Sequence, residues 1–315
     1  MWTDSAVEAV DLHVAGVPVR VVANDRLGWS ADAGPDTWLA RLRADDGGAR
    51  LRLSHEPWGF EGMQGVWLMP AHRPGSAGSA VFWDADGYAP WCGRGLAALA
   101  AFLVRTGRAP AGEVAVDTAL GTVRLEVEDS GDAPAVRVAP PPARAVARGL
   151  RLEGQGFTVD LAVCGGKAYA FLPSPVPIDL EGAHVLALRE RAASLLEPVA
   201  PLAGRAGDLA ALVFAAAPEG DRVHRLCPVG ATGRLHRAPG VRLLAAYAAL
   251  RRGDGEALPL AAAGLSGVQT TVEGADDGPR PDGQVRVTVA LRPHVVAFRR
   301  FYHDPYDPVA PFLVP

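Results

Sequence analysis

The chain has 315 residues, of which 49% are hydrophobic and 21% charged, and its net charge is −4 at pH 7. This length allows two domains with a substantial core. The net charge is weakly negative, so it does not indicate binding to nucleic acid or to anionic lipid. No apolar run reaches the roughly 20 residues that span a bilayer, and residues 1–15 lack the basic region of a signal peptide. We therefore expect a cytoplasmic protein that binds a small molecule.

The three cysteines are Cys92, Cys164 and Cys227. An odd number cannot pair completely, and their spacing matches no zinc motif. Free thiols indicate a reducing compartment. The sequence thus predicts no metal site, and each cysteine is judged by its surroundings.

One series of elements occurs in both halves of the chain. In the first half, a strand pattern at 11–22 precedes an alanine-rich helix at 96–106, which Gly107 ends. In the second half, a similar pattern at 160–172 precedes a helix at 241–252, which is also followed by glycine. The spacing from strand to helix is nearly equal in the two halves. This repeat predicts two copies of one β-rich domain, each wrapped around one helix.

The segments between these elements indicate further strands and the domain boundaries. Short strands are expected at 113–116, 121–127, 209–215 and 284–291. The proline cluster at 139–142 is typical of a crossover between domains. The expected organisation is a first domain at 1–145, a second at 146–298 and a C-terminal segment at 299–315 that returns to the first domain.

Several motifs of the chain resemble those of the proline racemase family. They are Asp11–Val22, Glu56–Gly65, Trp91–Gly95, Asp117–Val123 and Asp307–Pro308. The resemblance implies an α+β fold of the diaminopimelate epimerase type. In that fold two pseudo-symmetric domains, each a barrel-like sheet around a central helix, have the active site in the cleft between them. It also implies a small carboxylate substrate, catalysis without a cofactor, and a homodimer as a possible assembly.

The family's first catalytic motif, M-C-G-H-G, occurs here as Trp91-Cys-Gly-Arg-Gly95. The resemblance therefore assigns the acid/base role to Cys92 and substrate binding to Gly93, Arg94 and Gly95. A thiol at a helix N-terminus is near free N–H groups, which favour the thiolate and are expected to lower its pKa. The alternative interpretation is a buried and inert cysteine.

The family's second catalytic motif, D-R-S-P-C-G-T-G, is altered here to His236-Arg-Ala-Pro-Gly-Val-Arg-Leu243. Gly240 replaces the second cysteine, His236 replaces the aspartate, and Val241 and Arg242 disrupt the G-T-G that binds the substrate carboxylate. Because Gly240 has no titratable group, racemisation by two bases is disfavoured. The four substituted positions remain the expected binding residues on this side.

Three further residues have two interpretations each. Cys164 is either a displaced second base or a small hydrophobic residue at a strand-to-turn junction. Trp58 and Phe60 either form an apolar wall for a planar ligand or pack in the core. Cys227, next to Pro228, is interpreted as a packing residue.

These observations favour an isomerase that works with one base and shifts a proton or double bond in a small, cyclic, unsaturated carboxylic acid. A pyrroline-type acid of specialised metabolism is one such compound. The alternatives are a trans-3-hydroxyproline dehydratase-like lyase or a proline-type epimerase, and, outside catalysis, an inactive ligand-binding homologue. Arg94 and His236 in place of a histidine and an aspartate should disfavour a protonated amine and favour an imine, an enamine or a second carboxylate.

Overall fold

The structure is a computed structural model. It describes residues 6–23, 29–30, 32–44, 48–129, 131, 134–152, 154, 156–204, 206–216, 218, 222–274 and 283–302. The chain forms two compact units, one of residues 1–138 and 291–315 and the other of residues 139–290. The expected Asp307–Pro308 motif and the part of the C-terminal segment beyond residue 302 lie outside the described residues.

Both units contain helices and strands. Up to residue 138 they are β1 (Val7–Val14), β2 (Val17–Val22), α1 (Pro35–Ala44), α2 (Gly48–Ser54), β3 (Gln64–Met69), β4 (Gly78–Asp84), β5 (Tyr88–Ala89), α3 (Gly93–Arg105), β6 (Gly112–Thr118), β7 (Gly121–Glu128) and β8 (Ala135–Val138). The second unit has β9 (Ala143–Arg151), β10 (Thr158–Cys164), β11 (Lys167–Pro173), α4 (Gly182–Gly204), β12 (Asp208–Ala216), β13 (Val223–Gly230), α5 (Val241–Gly253), β14 (Leu260–Ala263), β15 (Gln269–Gly274) and β16 (Val287–Leu291). The last strand, β17 (Pro293–Phe301), belongs to the first unit.

In the first unit the strands follow the order β17, β1, β2, β3, β4, β6, β7, β8. Neighbours are antiparallel except for the parallel pairs β2/β3 and β4/β6. Helix α3 packs against strands on both sides of this order, including β1, β2, β3 and β8. Every residue of α3 from Gly93 to Leu103 is buried. The expected sheet around a central helix is therefore present.

The second unit has the same pattern. Its strands follow the order β9 to β16, and the parallel pairs are β11/β12 and β13/β14. Helix α5 is buried from Leu243 to Leu250 and packs against β9, β10 and β15. Strand for strand, β9 corresponds to β17 and β10 to β1. The repeat in the sequence is thus a repeat of topology.

The expected domain boundaries differ from the observed units by a few residues. The boundaries between the two units lie at 138/139 and 290/291, whereas the boundaries predicted from the sequence are 145/146 and 298/299. The physical reason is strand pairing. β9 pairs with β10, so the chain from residue 143 already belongs to the second unit. β17 pairs with β1, so the chain from residue 293 already belongs to the first.

The end of α5 differs from the prediction that Gly253 stops this helix. The helix includes Gly253, Asp254 is its C-cap, and Gly255 has a positive φ of 85°. A left-handed residue just beyond the C-cap is the usual end of a helix. Helix α3 ends as predicted, with Thr106 as C-cap followed by Gly107 at φ 69°.

The first hairpins of the two units show how the repeats align. The turn between β1 and β2 is Ala15-Gly16, with φ values of 53° and 78°. The turn between β10 and β11 is Gly165-Gly166, with φ values of 57° and 74°. Two successive positive φ values are the geometry of a tight hairpin turn. Cys164 is therefore the last residue of β10 and precedes the double glycine.

Within the described residues, no helix combines the length and the apolar character needed to cross a membrane.

Candidate active site

Cys92 lies at the start of helix α3. It is the N-cap residue, with extended backbone angles, and its Sγ accepts a hydrogen bond from the backbone N–H of Gly95 at 3.4 Å. Gly95 has to be a glycine here, because a Cβ at this position would lie 2.6 Å from Cδ1 of Phe82. The sequence therefore brings the helix start close to β4 and leaves the Cys92 side chain partly exposed.

A second side chain reaches the same sulfur. The Cys92 thiol donates to Oε1 of Gln64, the first residue of β3, over a long Sγ···Oε1 distance of 3.9 Å. Sequence reasoning missed Gln64. The available signal was its place between Met63 and Gly65, two residues that match the family motif at Glu56–Gly65.

The electrostatics at Cys92 differ from the expectation. Burial raises the pKa of the Cys92 thiol, and the opposing effects of the Gly95 N–H and the buried Arg94 do not compensate. The carboxylate of Asp84 raises this pKa further. The predicted lowering of the pKa is wrong because desolvation outweighs the helix start.

The matching position in the second unit is Gly240, the N-cap of helix α5. Its φ is −78° and its ψ is 160°, so any residue could adopt this conformation. No atom lies within 4 Å of a Cβ built on Gly240. The position is spacious enough for a side chain but carries none.

The other expected residues of the second unit are close to this helix start. Val241 and Arg242 are the first two residues of α5, where Gly93 and Arg94 stand in α3. Nε of Arg242 lies 3.5 Å from a Cβ built on Gly165. Nε2 of His236 lies 3.1 Å from a Cβ built on Gly230, and the His236 N–H donates to Pro228 O at 2.8 Å.

Cys164 and Cys227 are both buried. The Cys164 thiol donates to the carbonyl oxygen of Pro141 at 3.1 Å. Burial raises the pKa of each of these thiols to about 12, and Arg242 offsets this only in part for Cys164. These surroundings favour the packing interpretation over a second base.

Trp58 and Phe60 differ in their surroundings. The Trp58 ring stacks on Phe301, with centroids 5.1 Å apart and planes at 25°, and its carbonyl oxygen accepts from Nη1 of Arg20 at 2.9 Å. Phe60 is 39% exposed. The contacts of Trp58 favour core packing over an apolar ligand wall.

One group of described residues has a metal-like arrangement. Ligand atoms of Asp179, Glu181 and His184 lie within 4.8 Å of one another near the start of α4. The His184 ring already bonds to Asp179 at 2.9 Å and lies 3.6 Å from Glu181, so these side chains satisfy each other. The cluster is at least partly exposed and belongs to no feature of the Cys92 site.

The duplicated topology, with a sheet around one central helix in each unit, defines a diaminopimelate epimerase-like fold with a thiol at one helix start. A crystal structure of a hydroxyproline epimerase from Agrobacterium vitis, with bound trans-4-hydroxy-L-proline, superposes with a TM-score of 0.79 at 19% identity, covering 99% of this chain and 96% of that one. The proline racemase family model matches residues 9–311. The chain belongs to the proline racemase family. The predicted family and the predicted diaminopimelate epimerase-like fold class are confirmed.

Curated relatives include two kinds of enzyme. A 4-hydroxyproline 2-epimerase of Streptosporangium roseum is 31% identical over 222 residues, which is 64% of this chain and 65% of that protein. A trans-L-3-hydroxyproline dehydratase of Mus musculus is 32% identical over 182 residues, 53% of this chain and 50% of that protein. The chain thus matches less than two thirds of the length of each. The sequence predicted an isomerase with a lyase as the alternative, and the chain has relatives of both kinds.

Proposed function

We propose that this chain is a cofactor-independent isomerase that transfers a proton with the single thiol of Cys92. Its substrate is a small, cyclic, unsaturated carboxylic acid of the pyrroline type. The observation that supports this most strongly is the difference between the two helix starts. Cys92 is the N-cap of α3, whereas the N-cap of α5 is Gly240, which can neither take nor give a proton.

The reaction needs one base that returns the proton it takes. The Cys92 thiolate removes a proton from a carbon next to the double bond of the ring. The electron pair of that C–H bond becomes the new double bond, and the pair of the old double bond takes up a proton at its far atom. The same thiol delivers that proton. No leaving group, oxidant or second acid is required.

The helix start supplies the charge stabilisation that this step needs. The N-terminal end of α3, which begins at Gly93, can bind a carboxylate or an enolate-like oxygen through the positive end of its helix dipole. Arg94 adds a permanent positive charge beside the sulfur. Arg242 occupies the same position in α5 and is the second candidate to bind a carboxylate. Since both groups are guanidinium ions, the substrate is expected to be an anion without a protonated amine.

A second candidate is a lyase that removes water from a 3-hydroxyproline. The similarity to a protein named trans-L-3-hydroxyproline dehydratase favours it. One thiolate is also sufficient for elimination. The electrons of the broken C–H bond form a double bond, and the thiol formed in this step gives its proton to the hydroxyl group, which leaves as water. The two candidates differ in whether the ring carries a leaving group and in whether it is unsaturated at the start.

The test is incubation of the full chain in heavy water with three compounds, namely 1-pyrroline-2-carboxylate, L-proline and trans-3-hydroxy-L-proline. Proton NMR follows deuterium uptake, and chiral chromatography follows D-proline. We expect deuterium in the ring of the pyrroline acid and none in recovered proline. The variant Cys92→Ala should lose the exchange, whereas Cys227→Ala, which removes a buried packing thiol, should keep it.

Each other outcome has a definite meaning. Loss of water from hydroxyproline without exchange of the pyrroline acid would establish the lyase instead. Formation of D-proline would show that another group supplies the second acid. Binding of all three compounds by calorimetry without any turnover would indicate a ligand-binding homologue and would refute the isomerase.

A further inference from the structure

The aligned repeats allow the surroundings of the two helix starts to be compared residue by residue. In the first unit, the ladder between β3 and β4 begins with the pair Gln64 and Asp84. In the second unit, the ladder between β12 and β13 begins with the pair Ala211 and Gly230. Gln64 pairs with the third residue of β2, and Ala211 with the third residue of β11. The two pairs are therefore equivalent.

The helix starts follow the same correspondence. Gln64 and Asp84 both act on Cys92 at the start of α3, and the residues that correspond to these three in the second unit are all small. The polar set is Gln64, Asp84 and Cys92, and its counterpart is Ala211, Gly230 and Gly240. The loss of the second thiol thus coincides with an apolar residue at the position of Gln64. This indicates that Gln64 and the Cys92 thiol act together.

We propose that Gln64 is a positioning residue for Cys92, which holds the thiol proton through Oε1 and, after rotation of its amide, donates an N–H to the thiolate. The proposal rests on the proposed function, in which Cys92 cycles between thiol and thiolate. A primary amide has both an acceptor and two donors, so it can stabilise both forms. Hydrogen bonds of catalytic groups are often long before the substrate binds, as the 3.9 Å contact is here.

Asp84 cannot do this, although it lies in the same set. Its Oδ1 accepts from the N–H groups of Asp86 at 2.9 Å and Gly87 at 3.1 Å, which fixes the turn between β4 and β5. A carboxylate is also an acceptor only and repels a thiolate. Asp84 therefore opposes ionisation of Cys92, and Gln64 is the side chain that can support it.

The test measures the alkylation of Cys92 by iodoacetamide as a function of pH, which needs no substrate. Gln64→Met keeps the size of the side chain and removes the amide, and Gln64→Glu keeps the acceptor and removes the donors. We expect the rate at neutral pH to fall about threefold to tenfold for Gln64→Met. For Gln64→Glu it should fall more than about tenfold, with the inflection at least about one pH unit higher, because a carboxylate then faces the sulfur.

Gln269→Met is the matched control, because Gln269 is an exposed first residue of a strand. This control should keep the wild-type alkylation profile. With a compound that turns over, the Gln64 variants should lose kcat and retain KM within about threefold. Circular dichroism and thermal unfolding establish that the variants are folded.

Folded Gln64 variants with an unchanged alkylation profile would overturn the proposal. The other failure is a shifted alkylation profile in a chain that turns over none of the tested acids. In that case Gln64 would still be the residue that controls the thiol, and only the proposed isomerase function would be refuted. The two failures are therefore distinguishable.

Discussion

Helices α3 and α5 occupy the same place in their units but differ in chemistry along their whole length. Their N-caps are Cys92 and Gly240. Seven residues further on, α3 has the fully buried Leu99, whereas α5 has Tyr247, whose hydroxyl group bonds to Nδ1 of His224 at 2.9 Å. The first unit thus has a polar group at the start of its helix, and the second has one in the middle. A duplicated topology does not require duplicated chemistry.

The first hairpins of the two units also differ in polarity, and here the polar pair lies in the first unit. In the first unit the opposed residues Asp11 and Arg20 form a buried ion pair, with Nε to Oδ1 at 2.7 Å and Nη2 to Oδ2 at 2.9 Å. Counting from the turn, the second unit has Leu161 opposite Ala170 at this place. Each unit therefore tolerates polar groups in its interior only where that unit provides partners for them. This explains why few side chains match between the repeats.

The largest expected effect compares the partly exposed thiol of Cys92 with the two buried thiols. Cys92 should react with iodoacetamide at least about a hundredfold faster than Cys164 or Cys227, because both are buried with a pKa of about 12. Burial also raises the pKa of Cys92, so its rate should still be rising above pH 8 as the thiolate forms. Mass spectrometry of a time course gives both quantities. Equal labelling of two cysteines in the folded chain would contradict the assignment.

A second prediction concerns the replacement of the buried ion pair of the first unit by the apolar residues found at the same place in the second unit. Asp11→Asn leaves Arg20, which is 1% exposed, without its compensating charge. Breaking a buried pair in this way costs about 3–5 kcal/mol of unfolding free energy. The double variant Asp11→Leu with Arg20→Ala copies the second unit and should recover more than half of that loss, since it leaves no uncompensated charge. Urea denaturation of the three chains decides this, and a double variant as unstable as the single one would show that the hairpins are not equivalent.

A third and smaller effect is expected in the middle of α5. Tyr247→Phe removes the Nδ1 partner of the buried His224, which should lower the unfolding free energy by about 1–3 kcal/mol. Tyr302→Phe is the control, because Tyr302 is 40% exposed. Thermal unfolding of both variants measures the difference. Equal melting temperatures would mean that the Tyr247 hydroxyl group contributes nothing.

The same cluster has a predicted pH dependence through Glu256. Burial raises the pKa of this carboxyl group, but hydrogen bonds from Arg251 at 2.6 Å and His224 at 2.8 Å hold it below the usual value of 4.5. A lowered folded-state pKa contributes stability that is present above the unfolded-state value and is lost as the pH falls through the folded-state value. The stability difference between the wild type and Glu256→Gln should therefore shrink as the pH falls below about 4.5. A difference independent of pH would show that the charge of Glu256 has no role.

The sequence predicted the elements whose signal is local. The strand at 17–22 and the helix at 241–252 were placed correctly, apart from one residue at the end of α5. Helix α4 was missed because Pro198 and Pro201 lie inside it, where proline usually indicates a break. The pairing of β17 with β1 was not specified either, since it joins residues almost 300 positions apart.

The candidate site was predictable only as far as the family motif extends. Cys92 at a helix start follows from the glycines around it, but the sign of its pKa shift depends on desolvation, which no local pattern reveals. Gln64 reaches the sulfur because β3 and β4 pair in one register, and that register is a property of the folded sheet. For the same reason the sequence left Trp58 with two interpretations, a ligand wall or core packing, and only the fold shows that it packs on Phe301.

The smallest expected effect concerns the empty N-cap of α5. Serine at an N-cap accepts a hydrogen bond from a backbone N–H of the first turn. A glycine at this position makes the helix less stable than a serine by only a few tenths of a kcal/mol. Because Gly240 has an extended conformation and no atom within 4 Å of its Cβ position, Gly240→Ser should fit without strain and raise the unfolding free energy by about 0.3–0.5 kcal/mol. Gly240→Cys should fit equally well and restore a titratable group at this helix start. Because Ala211 and Gly230 also stand in place of Gln64 and Asp84, and the guanidinium groups disfavour a protonated amine, chiral chromatography should show no D-proline formed from L-proline by the cysteine variant. D-proline from a stable cysteine variant would show instead that the two helix starts differ chiefly in this one side chain.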